Sequence, residues 1–116
     1  MAVSEFCYVT TTGRVTGRPH RIEIWYAERP GDGRTLYVLS GGGERSDWVR
    51  NLQASPQATV EVDGRSSTAR ARFPDPGTAE DVDARRLVTD KYQPGYGGDL
   101  STWRERSLVI ALDLLD

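Results

Sequence analysis

Hydrophobic and polar residues alternate in short blocks along most of this chain, and the spacing lengthens to three or four residues in three places. From Phe6 to Thr11, the side chains of Phe6, Tyr8 and Thr10 share one face and those of Cys7, Val9 and Thr11 the other. Apolar residues on both faces predict a well-buried first strand. A turn at Thr12–Pro19, rich in hydroxyl groups and glycine, leads to a second strand at His20–Glu28. There Ile22, Ile24 and Tyr26 face one way and Arg21, Glu23 and Trp25 the other. Arg29-Pro-Gly-Asp-Gly-Arg34 has the composition of a hairpin loop. Thr35–Ser40, apolar on both faces, reads as a central third strand.

Gly41-Gly-Gly43 ends that strand, and a helix follows at Asp47–Ala54. Ser46 is its expected cap, Asp47 complements its dipole, and Ser55-Pro56 stops it. Trp48, Asn51 and Leu52 fall on one side of this helix. Strands at Gln57–Val62 and Ser66–Phe73 flank an Asp63-Gly64 turn; Ala69, Ala71 and Phe73 face in, while Thr68, Arg70 and Arg72 face out. Thr78 and Asp81 have capping-box spacing and open a helix to about Lys91. Its apolar positions, Val82, Leu87 and Val88, are sparse, so it is expected on the surface. A flexible loop at Gln93–Gly98 surrounds Tyr96, Asp99–Arg104 is a short helical turn, and Ser107–Leu114 is a final strand in the middle of the sheet. Five or six strands with these helices predict an α+β fold, a small antiparallel barrel with flanking helices.

Composition narrows the function classes. The chain has 116 residues, the size of one domain, residues 1–116. A formal net charge of −2 leaves no overall basic field for nucleic acid, so the positive charge is local and suits a small anion. Cys7, the single cysteine, excludes a disulfide framework, and one histidine with one cysteine cannot close a structural zinc site, so no metal is expected. The N-terminus lacks a basic segment followed by a long apolar one, and Leu108–Leu112 is too short to span a bilayer. No signal peptide and no membrane segment are expected, and a reducing cytoplasm fits the cysteine usage.

The stretch Thr10–Tyr26 collects Arg14, Arg18, His20 and Arg21 in and after a glycine-containing turn and then feeds a strand carrying Trp25. Arginines and free backbone N–H groups at a turn suit a phosphate or carboxylate; a solvated hairpin is the competing reading, with about equal weight. Ser40-Gly-Gly-Gly43 before a helix is a second place for backbone donors, or a plain strand-to-helix turn. His20 has no evident acid partner for a triad, no phosphate-loop motif occurs, and Glu23, the best single acid–base candidate, reads as a solvated or salt-bridged position. A bound redox cofactor is the chemistry that asks least of the protein beyond binding and orientation.

Three segments carry a resemblance: Thr10-Thr-Thr-Gly-Arg-Val-Thr-Gly-Arg-Pro19, Leu36-Tyr-Val-Leu-Ser-Gly-Gly-Gly43 and Ser46-Asp-Trp-Val-Arg-Asn-Leu-Gln-Ala-Ser-Pro56. In this order the chain resembles the deazaflavin-dependent nitroreductase family, coenzyme F420-dependent oxidoreductases of the split β-barrel, flavin-reductase-like class. The resemblance implies a split β-barrel and transfer of hydride from carbon 5 of reduced F420 to a quinone, nitro compound or other electrophilic small molecule. It places Arg14, Thr16, Gly17 and Arg18 at the cofactor's phosphate and acidic tail, with His20 near that tail. Trp25 would lie against the deazaflavin ring, Ser40 and Gly41 near its polar edge, and Trp48 and Asn51 along the cofactor wall. Tyr92 and Trp103 would shape the substrate side, and Tyr96 would donate a hydrogen bond or proton to the acceptor oxygen. Val15 stands where many members carry lysine or arginine, which keeps FMN as an alternative cofactor, with Arg18 or Arg21 to compensate. A lid helix ahead of the first strand, present in longer members, is not expected. An FMN-dependent reductase and a non-catalytic flavin- or tetrapyrrole-binding protein of the same barrel are the alternatives, and a homodimer is compatible with the three tryptophans.

Overall fold

The structure is a computed structural model describing residues 5–115. Its strands are β1 (Cys7–Thr12), β2 (Pro19–Ile24), β3 (Ala27–Glu28), β4 (Thr35–Ser40), β5 (Gln57–Val62), β6 (Arg65–Arg72) and β7 (Leu108–Leu114). Helix α1 spans Asp47–Ala54, α2 Ala79–Tyr92 and α3 Ser101–Arg106. The strands form one antiparallel sheet in the order β2-β1-β5-β6-β7-β4-β3. Seven strands are present where five or six are expected from sequence, because the predicted strand at His20–Glu28 is broken into β2 and β3.

That break decides the architecture. β2 and β3 are the two opposite edges of the sheet, yet only Trp25 and Tyr26 separate them. Two residues cannot cross a flat sheet of seven strands spaced about 4.8 Å apart, so the sheet curls until its edges meet, and the chain itself crosses the seam. Alternation continues through the crossing: Ile22, Ile24 and Tyr26 point into the barrel, and Trp25 and Ala27 point out.

The curled sheet has two cores. Inside, Val9, Leu36, Val38, Val60, Ile110 and Leu112 pack with Trp48, Val49 and Leu52 of α1, which plugs one end. Outside, Tyr37, Leu39, Val109 and Ala111 are covered by Ala84, Val88 and Tyr92 of α2 and by Leu100. Strands β4 and β7 face both cores, which is why they are apolar on both sides. Cys7 is buried in the inner core, and burial pushes its thiol up to about 12, leaving it unreactive.

Helix α2 is less superficial than its sparse apolar pattern predicts. Asp81, Ala84, Val88, Thr89 and Tyr92 are buried, because small and hydrogen-bonded side chains let it lie close on β4 and β7. Thr78 caps α2 by accepting the Asp81 N–H, and Asp81 in turn accepts the Gly77 N–H. Its first turn is clamped by charge. Glu80 accepts from Arg29, from both terminal nitrogens of Arg72 and from the Tyr37 hydroxyl at 2.8 Å, while Arg72 also pairs with Asp113. These donors, Arg72 first, hold the Glu80 carboxyl at about 2, and Arg72 likewise lowers Asp113. No helix of the described residues is long and apolar enough to cross a membrane.

A carboxyl held down in the folded state stabilises at pH above its unfolded value, and that stabilisation disappears as pH falls through the folded value. Melting temperature is therefore expected to drop between about pH 4.5 and pH 2 as Glu80 protonates. Glu80→Gln should cost about 1–2 kcal/mol at pH 7, discounted for the half-open Arg72, and flatten the acid limb. Thermal melts across that pH range check both.

Candidate functional site

Two groups of the singled-out residues stand at opposite ends of β2. The first is the bend between β1 and β2. It closes on itself, with Gly13 N–H donating to the Arg18 carbonyl at 2.8 Å and Gly17 N–H to the Gly13 carbonyl at 2.8 Å. Gly17 takes a left-handed φ of 76°, and a Cβ on Gly13 would lie 2.9 Å from the Arg18 carbonyl oxygen, so both positions need glycine. The Thr16 hydroxyl accepts the Arg18 N–H at 3.2 Å inside the loop.

Asn51 fixes this bend from α1. It is 3% exposed, accepts from Arg14 N–H at 3.1 Å and from the Arg14 guanidinium at 2.9 Å, and donates to the Thr11 hydroxyl at 3.1 Å. Arg14 also reaches the Asp47 carboxylate at 3.1 Å and the Asp47 carbonyl at 3.4 Å. Arg21 pairs with Glu61 across β1. Arg18 and His20 are exposed, and the Arg18 guanidinium makes no ion pair among the described residues. An open depression of about 300 Å³ is lined by the bend, Pro19, His20, Asp47 and Asn51. Val15 points to solvent, 87% exposed.

The second group is a wall of rings at the seam. The Trp25 indole stacks on the Tyr92 ring with centroids 4.3 Å apart and planes within 5°. Trp103 and Tyr96 meet it edge-on at 5.6 Å and 5.9 Å. Trp25 therefore stands with this wall and not beside the bend. The loop expected to be flexible is tied down: the Gln93 side chain donates to the Gly98 carbonyl at 2.7 Å and accepts the Leu100 N–H at 2.9 Å. Tyr96, 48% exposed, keeps its hydroxyl free of protein partners among the described residues. The Tyr92 hydroxyl is committed instead. It accepts the Tyr26 N–H at 3.0 Å and faces the Tyr26 and Glu5 carbonyls, and burial pushes it up to about 12.

Gly41–Asp47 joins the two groups. A Cβ on Gly41 would sit 3.2 Å from the Trp103 indole nitrogen, and one on Gly42 would sit 2.6 Å from the Ser46 hydroxyl. Buried Ser40 donates to the Gly43 carbonyl, and its hydroxyl lies 3.1 Å from that of Ser46. Ser46 thus spends its hydroxyl on Ser40 and leaves α1 without the side-chain cap its position predicts. Trp48 turns into the inner core, so its contribution here is to seat α1.

Lys91 is a site residue that no local pattern marks as such. Its ammonium donates to the Tyr26 carbonyl at 2.9 Å and stands 3.6 Å above the Tyr26 ring, and burial lowers its affinity for a proton. Lysine in the last turn of a helix is ordinary, and only the fold puts the seam beneath it.

A model of the F420H2-dependent quinone reductase family matches residues 2–114. Among solved structures, an F420H2-dependent reductase (FDR-A) is 17% identical with a TM-score of 0.74, over 94% of this chain and 94% of that one. HutZ, the heme storage protein from Vibrio cholerae, is 12% identical with a TM-score of 0.75, over 97% of this chain and 83% of that one. A chain described as a domain-swapped dimer is 18% identical with a TM-score of 0.74, over 97% and 82%. At such identities these likenesses show the fold, an α+β split barrel.

Asn51→Ala should remove the brace on the bend and leave the Thr11 hydroxyl and the Arg14 N–H without it. A loss of about 2 kcal/mol is expected from buried bonds to a charged group, together with faster tryptic cleavage after Arg14, the site in the bend not followed by proline. Thermal melts and timed proteolysis measure the two effects; a variant as stable and as resistant as the parent removes the brace.

Proposed function

The chain belongs to the family of F420H2-dependent quinone reductases, whose cofactor is coenzyme F420. On that footing we propose that it transfers hydride from reduced F420 to a quinone, nitro compound or similarly electrophilic small molecule. What supports the reading is one strip of surface: a ring wall at the seam, a glycine turn and a braced basic bend, linked by Gly41–Asp47. An extended molecule with a flat ring at one end and a phosphate and carboxylates at the other has complementary partners along that strip.

In this reading Arg18, His20 and the N–H groups around Thr16 and Gly17 hold the phosphate and acidic tail, and Arg14, braced by Asn51, shapes the bend. Trp25 borders the ring, and Ser40 and Gly41 lie at its polar edge. When bound, reduced F420 supplies a hydride from carbon 5. The rest of the work is orientation, worth large rate factors when reacting atoms are held close. Tyr92 and Trp103 wall the acceptor's side. The acceptor oxygen that gains charge needs a proton, and Tyr96, whose hydroxyl is free of partners among the described residues, is the ring-wall residue to give it, regaining a proton from solvent. Tyr92 is unsuited to that task, since its hydroxyl serves the Tyr26 backbone.

Fluorescence titration with F420 tests the binding half, and oxidation of reduced F420 by menadione, followed by absorbance, tests the reaction. Arg18→Ala should weaken F420 binding about tenfold, the value of one charge-assisted contact, with the melting temperature unchanged. Tyr96→Phe should lower kcat about a hundredfold, at the low end for a lost proton donor, with F420 affinity kept. Unchanged turnover on menadione removes Tyr96 from the chemistry, and absence of any response to F420 removes the reductase reading. A second copy of the chain is a candidate partner at the open edge of β2; a one-chain mass by light scattering dismisses it.

A further inference from the structure

The bend is not uniformly positive. Asp47 stands at the rim of the same depression as Arg14, Arg18 and His20, its carboxylate 3.1 Å from the Arg14 guanidinium and its side chain 70% exposed. Arg14 has five N–H donors, and three are occupied, by Asn51, by the Asp47 carbonyl and by the Asp47 carboxylate. An anion approaching Arg14 meets a guanidinium that already has a carboxylate partner. With His20 counted neutral, two arginines and one aspartate leave the lining a formal charge of +1. Val15 adds nothing to that sum.

We propose that Asp47 is a specificity-determining residue that makes the bend accept a singly charged phosphodiester and disfavour a doubly charged phosphomonoester. The inference rests on the reading that the bend holds the cofactor's phosphate. A phosphodiester carries one negative charge, matching the lining. A phosphomonoester carries about 1.5 to 2 at neutral pH, so its second charge faces Asp47 without compensation. The two ligand classes can share the same flavin-like ring, so ring stacking at the seam does not separate them; the charge balance at the far end of β2 does. Asp47 acts locally, because at ordinary salt its field is screened within about 8 Å, and the carboxylates of an acidic tail beyond that distance are little affected.

Removing a like charge about 6 Å away in water-like surroundings is worth roughly threefold in affinity per ligand charge. A dianion should therefore gain about the square of what a monoanion gains. The test titrates the parent protein, Asp47→Asn and Asp47→Glu with F420, FMN and riboflavin at one ionic strength, reading fluorescence quenching. Asp47→Asn is expected to tighten F420 about threefold and FMN about tenfold, to leave riboflavin unchanged, and to melt at the parent's temperature. Asp47→Glu keeps the charge and should keep the parent's ratio of FMN to F420 affinity. The proposal is overturned by a ratio that Asp47→Asn does not move, by FMN that stays unbound to it, or by riboflavin tightening as much as FMN. Failure of the underlying reading looks different: the parent then binds FMN no better than riboflavin, and Arg18→Ala leaves F420 affinity where it was.

Discussion

The passage from β2 to β3 across Trp25 and Tyr26 constrains everything else in this protein, because a sheet whose two edges are joined by two residues has to curl. The crossing lies outside the ladder, so the polar groups of the Tyr26 backbone need other partners. They find them on the last turn of α2. The Tyr92 hydroxyl accepts the Tyr26 N–H, and the Lys91 ammonium donates to the Tyr26 carbonyl. Fixing α2 in that position also buries the outer apolar faces of β4 and β7. Closure of the barrel and covering of its outer face are one event.

The same closure builds the ring wall. Tyr92 reaches the seam to satisfy a backbone and, in doing so, lays its ring on Trp25. Trp103 and Tyr96 come in edge-on from the segment between α2 and β7, held by the Gln93 side chain. At the other end of β2, Asn51 performs a comparable service for the bend. Each half of the strip is thus positioned by a buried polar side chain from a helix. Such groups act strongly because an unpaired buried donor or acceptor is expensive. The candidate site is rigid where it is braced and open where Tyr96, Arg18 and His20 reach solvent.

Much of this was legible in the chain. Two-residue alternation locates most of the strands, since one face of each is committed to the inner core. Glycines mark both turns: a Cβ on Gly13, Gly41 or Gly42 would press on the Arg18 carbonyl, the Trp103 indole or the Ser46 hydroxyl, while Gly17 and Gly43 take a left-handed φ. Three residues read differently in the fold. Trp25 alternates as a strand residue but lies in the crossing, because periodicity of two does not report whether a neighbour strand is present. Ser46 has the sequence of a cap yet bonds Ser40 instead. Trp48 has helical spacing that serves a core wall or a ligand wall equally, and it faces the core.

The sequence by itself determined most of the elements, the two-sided burial of β4 and β7, the clustering of positive charge at one bend, and the family, since each is a property of local pattern or of ordered motifs. Only the tertiary structure decided which charges remain available and which rings meet. Arg14 and Arg21 form ion pairs with Asp47 and Glu61, partners 33 and 40 residues away in the chain, while Arg18 forms none among the described residues. Trp25 and Tyr92 stack although a helix and four strands separate them in sequence. Pairings of this range depend on where the curled sheet brings its edges, and no local spacing encodes that.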